Sequence, residues 1–270
     1  MHIYDCFIQS KYEKDSLCED GIFYNDNFIA VIDGVSSKGN ITWEGHTNGY
    51  YAKEIVMKGL IGLKGNETAL ETYNYLNMLL NKEYGENIDY FVDNPEERLQ
   101  VTLVIYSVKH RQIWCFGDCQ FMINDDVYRE EMKIDVLLSE IRSVYLSLEI
   151  MQGKLISELC EQDPSSDYLM PILKKQALFS NSKDEYGYSV LNGLCDDFTK
   201  LEVKNVPQNS IVVLASDGYP ILMPTLELSE IELERLRKDD PLCIYKYKST
   251  RGWTNGKKSL DDRAYIRFKV

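Results

Sequence analysis

Two apolar runs that both end in Asp-Gly constrain the fold of this chain more than any other feature of its sequence. One occupies residues 29–34 and the other residues 211–218, and they place Asp33 and Asp217 in equivalent positions. Continuous apolar runs of this length, bounded by turn residues, are typical of strands buried on both faces. A carboxylate at the end of such a strand lies near the core, where an uncompensated charge is costly.

Hard divalent cations are the usual partners of carboxylates in such positions. Asp-Gly is also ordinary turn chemistry, but the pattern here is repeated, and a third acidic segment, Asp261-Asp262, precedes the last predicted strand. The glycine that follows Asp33 and the glycine that follows Asp217 let the backbone turn tightly, which brings the glycine carbonyl oxygen within reach as a further ligand. We therefore predict a metal centre built on Asp33, Asp217 and Asp261.

Strand pairs and helices follow one another without regular alternation. A hairpin is predicted over residues 21–34, and further strands over residues 99–108, 112–116, 120–123, 188–191, 201–203, 210–216 and 264–270. Helices are predicted over residues 47–63, 67–80 and 135–151, on both sides of Pro164, and from a capping box at residues 229–232. Because the alternation is irregular, a doubly wound parallel sheet is disfavoured. We expect an α+β fold in which two antiparallel sheets pack face to face, with helices outside.

Composition limits the cellular context and the class of partner. With 44% hydrophobic and 27% charged residues, the chain is expected to form a single domain over residues 1–270. The first residues lack the pattern of a secretion signal, and no apolar run is long enough to cross a bilayer, so we predict a soluble cytoplasmic protein. The sequence does not predict an oligomeric state.

The charge and the cysteines exclude several kinds of site. The formal net charge of −13 argues against nucleic acid or an anionic membrane as a partner. A phosphorylated substrate would need a local cation, and a bound divalent metal supplies one. The seven cysteines are scattered, odd in number and without a Cys-x-x-Cys pair. They are predicted to be reduced thiols and neither disulfides nor zinc ligands.

Five short motifs follow one another along the chain: residues 18–21 (CEDG), 28–34 (FIAVIDG), 114–119 (WCFGDC), 213–218 (VLASDG) and 259–264 (SLDDRA). Together and in this order they resemble the type 2C family of metal-dependent protein serine/threonine phosphatases. The resemblance spans nearly the whole chain. It implies a four-layer α-β-β-α sandwich, which agrees with the architecture expected from the strand and helix pattern.

The resemblance also implies a set of metal ligands for two Mn²⁺ or Mg²⁺ ions. In the family pattern Asp33 bridges the two ions, the Gly34 carbonyl binds one of them, and Asp217 and Asp261 complete the first site.

The remaining acidic motif residues are assigned to weaker positions by the same resemblance. Glu19 and Asp20 would serve the second ion or its waters, and Asp118 would serve a weaker third ion. The implied activity is removal of phosphate from phosphoserine or phosphothreonine in proteins by a water that the two metals activate.

The chain departs from the family pattern where the phosphate is bound. The family arginine four residues before the glutamate is replaced by Asp15. Lys14, with Lys11 nearby, and Lys38 or Arg263 are the predicted substitutes. The basic segment 246–251 fits a solvated loop better than a phosphopeptide contact. Two alternative hypotheses stay open: a catalytically silent domain that binds a phosphorylated or regulatory partner, and a small-molecule phosphatase.

Overall fold

The computed structural model describes residues 2–194 and 201–270, so Cys195 lies outside the described part of the chain. Within these residues two five-stranded sheets form, and every strand pairing in them is antiparallel. The strands are β1 (His2–Gln9), β2 (Asp20–Tyr24), β3 (Phe28–Gly34), β4 (Val101–Ser107), β5 (Gln112–Phe116), β6 (Gln120–Ile123), β7 (Asp126–Tyr128), β8 (Glu202–Asn205), β9 (Ile211–Ala215) and β10 (Arg263–Lys269). The first sheet has the order β1-β10-β9-β6-β7 and the second the order β2-β3-β4-β5-β8.

Helices flank the two sheets. They are α1 (Asn48–Gly62), α2 (Ala69–Tyr84), α3 (Ile88–Asp93), α4 (Lys133–Met151), α5 (Ile156–Glu161), α6 (Ser165–Lys175) and α7 (Leu226–Asp239). None of the helices in the described residues has the length and apolar character needed to span a membrane. The predicted α+β class, with two antiparallel sheets flanked by helices, is confirmed.

The strand β3 shows why its sequence is continuously apolar. Ile29 and Val31 belong to the core between the two sheets, whereas Ala30 and Ile32 belong to a second core that the same sheet forms with α1 and α2. Successive side chains of a strand point to opposite faces, so a strand covered on both sides needs apolar residues at every position. The outer face of the first sheet is covered through a smaller cluster that includes Leu226 at the start of α7.

The end of β3 and the start of α1 are in direct backbone contact. A Cβ atom on Gly34 would overlap the carbonyl oxygen of Gly49, so no side chain fits there. Thr47 caps α1, because its hydroxyl accepts a hydrogen bond from the backbone N–H of Tyr50 at 3.3 Å. The contact between Gly34 and Gly49 holds the start of α1 against the end of β3.

Two local predictions differ from the structure, and strand β1 is missed. The strand β1 was not predicted, because its side chains alternate between exposed and half-buried and leave no strong apolar period. Residues 188–191 form isolated bridges and not a strand. The helix α7 begins at Leu226 with Thr225 as its N-cap, and the hydroxyl of Ser229 accepts instead from the backbone N–H of Met223.

Candidate metal centre

A cavity of about 480 Å³ lies where strand ends of the two sheets meet. Eight aspartates line it, and five of them are predicted site residues, each from a different segment: Asp20, Asp33, Asp118, Asp217 and Asp261. They come from β2, from β3, from the β5–β6 turn, from the end of β9 and from the segment before β10. The fold thus brings distant carboxylates to one place.

Asp20 and Asp33 are direct partners in the β2–β3 ladder. The hydroxyl of Ser216 donates to the Asp20 carboxylate at 2.6 Å and so joins the end of β9 to the start of β2. Burial raises the pKa of both carboxyls well above the usual range; the Ser216 hydrogen bond partly opposes this at Asp20, while negative neighbours reinforce it at both. For Asp33 those neighbours include Asp20 and Asp217.

Asp118 follows Gly117 in the turn between β5 and β6. Burial and then the nearby charge of Asp217 raise the pKa of Asp118 to about 7, against a hydrogen bond from Thr102. Thr102 lies opposite Asp33 in the β3–β4 ladder, so the two carboxylates share one stretch of wall.

Asp217 reaches the cavity through a second close backbone contact. A Cβ atom on Gly218 would overlap the carbonyl oxygen of Asp262. The Asp217-Gly218 turn can therefore lie directly against the segment that carries Asp261. In both Asp-Gly pairs the glycine lets a strand end approach a neighbouring backbone.

Of the five carboxylates, Asp261 has the closest contacts with cations. The guanidinium of Arg251 forms an ion pair with it, and the ammonium of Lys11 lies 2.9 Å away. Burial alone would raise its pKa, but Arg251 and then Lys11 hold the pKa of Asp261 at about 2. Arg251 also lies 3.8 Å from the Asp217 carboxylate.

Lys11 ties several segments together from a position that is only 5% exposed. Its ammonium donates to Glu19 at 3.2 Å, to Ser36 at 2.9 Å and to Asp261 at 2.9 Å. Three donors are thus used within the protein. Its backbone N–H also donates to Asp262 at 2.7 Å. Lys11 is therefore a structural cation with no donor left for a substrate.

Glu19, a predicted metal residue, does not line the cavity. Its carboxylate accepts hydrogen bonds from Lys11, from the Ser36 hydroxyl and from the Thr47 hydroxyl, the last at 2.6 Å. The structure places Glu19 behind the wall, where it connects β1, β3 and the start of α1. Gly34, by contrast, is part of the wall.

Of the three cations predicted to bind phosphate, only Lys38 lines the cavity. Lys14 is exposed and does not contribute to the wall. Arg263 is directed away from it, because its guanidinium donates to Glu230 at 2.8 and 2.7 Å and to Gln9 at 2.6 Å. Arg251, which sequence reasoning assigned to a solvated loop, takes a place in the wall instead.

The donor chemistry of the cavity suits a divalent cation. Carboxylate and carbonyl oxygens are preferred ligands of Mn²⁺ and Mg²⁺, and Asp20, Asp33 and Asp118 carry repulsion that such an ion would relieve. In residues 2–194 and 201–270, no three Asp, Glu, His or Cys side chains already lie close enough together to hold a metal ion. Asp261 would first have to exchange Arg251 for the ion.

Comparison with known proteins finds likeness only in three dimensions: no protein-family model and no curated protein sequence matches the chain. Among solved structures it is similar to the catalytic domain of the serine/threonine phosphatase PstP in complex with two manganese ions, at 13% identity, TM-score 0.48 and 100% coverage of both chains. It is similar to RsbX in complex with magnesium at 11% identity and TM-score 0.48, covering 99% of this chain and 98% of that one. The phosphatase Stp1 from Staphylococcus aureus shows 16% identity and TM-score 0.47, with 98% and 94% covered. All three TM-scores lie below 0.5, so the function proposed for this chain rests on its own site.

Proposed function

We propose that the chain is a metal-dependent phosphohydrolase that removes phosphate from phosphoserine or phosphothreonine in proteins. The observation that supports this most is the convergence of the five predicted aspartates on one cavity. In the described residues no lysine, arginine or histidine forms an ion pair with Asp20, Asp33 or Asp118. A site that gathers carboxylates and leaves three of them without an ion pair to a protein cation is suited to an external cation.

The residues of the wall would divide the work of holding the metal. Asp33 has neighbouring carboxylates on both sides, which suits a shared position, with Asp20, Asp217 and the Gly34 carbonyl around it. Ser216 orients Asp20 by its hydrogen bond, and Thr102 does the same for Asp118. Bound divalent ions would supply an activated water at neutral pH and stabilise charge on the phosphate oxygens.

The rest of the wall suits an anionic group carried on a larger molecule. Lys38, Arg251 and Lys257 line the cavity although the chain as a whole carries a net charge of −13. On the other side, α5 and α6 contribute apolar residues, among them Leu159 and Leu169. The reaction joins water to a phosphate monoester and yields an alcohol and inorganic phosphate.

The experiment that tests this function measures hydrolysis of p-nitrophenyl phosphate and of phosphoserine and phosphothreonine peptides. We expect turnover with Mn²⁺ or Mg²⁺ and none with EDTA. Turnover that persists in EDTA would contradict the metal-dependent mechanism. Turnover of small phosphate esters without turnover of any phosphopeptide would favour the small-molecule phosphatase.

One observation favours a second candidate, a catalytically silent domain that binds a phosphorylated partner. Asp261 is already neutralised by Arg251 and Lys11, and the Glu19 carboxylate is occupied by protein donors. Such a domain would bind a phosphopeptide with equal affinity in Mn²⁺ and in EDTA, and it would not hydrolyse it. Calorimetry with the same peptides separates the two candidates.

A further inference from the structure

The loop between α7 and β10 delivers an arginine into the carboxylate cluster. The guanidinium of Arg251 contacts the Asp261 carboxylate and lies 3.8 Å from that of Asp217. Its side chain remains 40% exposed and is part of the cavity wall. The group is therefore held near the centre of the site while it still faces the space that a substrate would enter.

The same loop is anchored before Arg251 by side chains of α4, and after it by the backbone N–H of Trp253, which donates to the carbonyl of Pro241 at 2.9 Å. Arg142 of α4, which is 1% exposed, donates to the carbonyl of Leu242 at 2.6 Å and to that of Ser249 at 3.1 Å. The neighbouring hydroxyl of Ser143 donates to the carbonyl of Ile244 at 2.6 Å. These contacts fix the backbone around Arg251 and leave its side chain as the part that can change partners.

The first turn of the loop is held separately by one carboxylate. The side chain of Asp240 accepts hydrogen bonds from the backbone N–H groups of Ile244, Tyr245 and Lys246 at 3.1, 2.8 and 2.7 Å. A loop with this much internal bonding differs from a freely solvated basic segment.

Three other cations near the cavity are committed to the protein. Lys11 is saturated, Arg263 pairs with Glu230, and the guanidinium of Arg98 donates to the carbonyls of Phe91 and Val92 at 2.7 and 2.8 Å. Arg251 has carboxylates as partners, which a metal ion could take over. Its planar fork matches a phosphate as well as it matches a carboxylate.

We propose that Arg251 binds the phosphate group of the substrate, and that it exchanges Asp261 for that phosphate when a divalent cation occupies the carboxylates. This inference rests on the proposed function and adds the residue that replaces the missing family arginine at Asp15. The order of events follows from this exchange. Without metal, Arg251 pairs with Asp261; when the metal ion binds Asp261, Arg251 is released and can bind the substrate phosphate.

The test compares the parent protein with Arg251→Gln, Arg251→Lys and the control Lys248→Gln. Lys248 belongs to the same loop but not to the cavity wall, and its ammonium donates to Glu140 at 2.6 Å, so this control removes one positive charge away from the carboxylate cluster. Calorimetry measures Mn²⁺ binding in the absence of phosphate, then inorganic phosphate binding in saturating Mn²⁺. A urea titration of each variant checks that it is folded.

We expect Arg251→Gln to weaken phosphate binding about 10- to 150-fold, as for loss of a charge-assisted contact. Arg251→Lys should fall between it and the parent, and Lys248→Gln should stay within about threefold of the parent. Mn²⁺ binding by Arg251→Gln should be as tight as in the parent or tighter, because a competing cation is gone. Unchanged phosphate binding, or Mn²⁺ binding that weakens as much as phosphate binding, would overturn the role of Arg251. A parent protein that binds no Mn²⁺ and hydrolyses nothing would instead overturn the proposed function itself.

Discussion

Asp33 lies among other carboxylates of the cavity wall. It lies beside Asp20 in the ladder, and Asp217, Asp118 and Asp261 add to its raised pKa after burial. A carboxylate in these surroundings costs stability in the absence of a cation, and sites that carry out chemistry often retain such a cost. The charge of Asp33 would therefore support metal binding while it lowers the stability of the metal-free protein.

Replacing Asp33 by Asn should therefore abolish hydrolysis while it stabilises the EDTA-treated protein by roughly 0.5–2 kcal/mol. The amide keeps the shape of the side chain and removes its charge. It should also eliminate the rise in melting temperature that Mn²⁺ gives the parent. Calorimetric melting with EDTA and with Mn²⁺, together with a phosphatase assay, measures all three effects.

The matched control for Asp33→Asn is Asp126→Asn, at an exposed aspartate in β7. It removes the same charge far from the ligand set and should leave activity and the Mn²⁺ response unchanged. Full activity in Asp33→Asn would be incompatible with a metal centre at this position.

Asp118 is predicted to serve only a weaker third ion and should matter less. Burial and then Asp217 raise its pKa, and a hydrogen bond from Thr102 opposes that rise. We expect Asp118→Ala to raise the Mn²⁺ concentration needed for half-maximal turnover, with the rate recovered at high Mn²⁺. Titration of activity with Mn²⁺ in both proteins measures this shift. A rate that stays near zero at all concentrations would place Asp118 among the central ligands.

At the scale of elements, Arg263 joins β10 to α7. It is 6% exposed and pairs with Glu230, which also accepts a hydrogen bond from the Tyr219 hydroxyl at 2.7 Å. Burial opposes ionisation of Glu230, but the hydrogen bonds from Arg263 and Tyr219 prevail and hold its pKa below the usual value. The pair stabilises the contact between helix and sheet and has no part in the cavity wall.

Arg263→Gln should lower the free energy of unfolding by about 1.5–3 kcal/mol at pH 7 and leave phosphate binding by the folded protein unchanged. Because the folded pKa of Glu230 is depressed, its contribution is present above its unfolded pKa and is lost as pH falls through the lower folded value. The difference in stability between parent and variant should therefore shrink from pH 7 to below pH 4. Urea unfolding at both pH values measures it, and a difference that grows on acidification would contradict the assignment.

Strand ends were predictable from the sequence, and side-chain partners were not. The apolar run before Asp33 predicts a strand, because a strand buried on both faces is apolar at every position. Nothing near Arg263 in the sequence predicts its partner Glu230. Arg251 lies in a loop without periodicity, and its proximity to Asp261 depends on the anchoring by Arg142 of α4. Hydrophobic periodicity predicts helices and strands because it is a local property of the sequence. These side-chain pairs form only when distant helices, strands and loops pack together.

For the whole molecule, the net charge of −13 is opposed by a few cations that line the cavity. The long-range field should attract phosphopeptides with basic flanks and repel those with acidic flanks. At low salt we expect kcat/KM to be roughly tenfold higher for a basic than for an acidic peptide that carries the same phosphorylated residue. Raising ionic strength to about 0.5 M should bring the two together, since the Debye length falls to a few ångströms.

A peptide with neutral flanks serves as the control for this salt dependence. Its kcat/KM should lie between the other two and change least with salt. If all three peptides respond to salt in the same way, recognition is confined to the cavity, and the acidic surface plays no part in it.

The order in which a ribosome releases this chain has a consequence for its carboxylate cluster. β1 pairs with β10, and Asp20 emerges early in synthesis whereas Asp261 emerges near the end of the described residues. Pairings between such distant segments form late, since the intervening chain must first be made and folded. A half-made chain therefore holds aspartates but no cavity. The proposed activity should therefore appear only after translation has passed Asp261, and a product interrupted earlier would carry at most the first four motifs, without the assembled cavity.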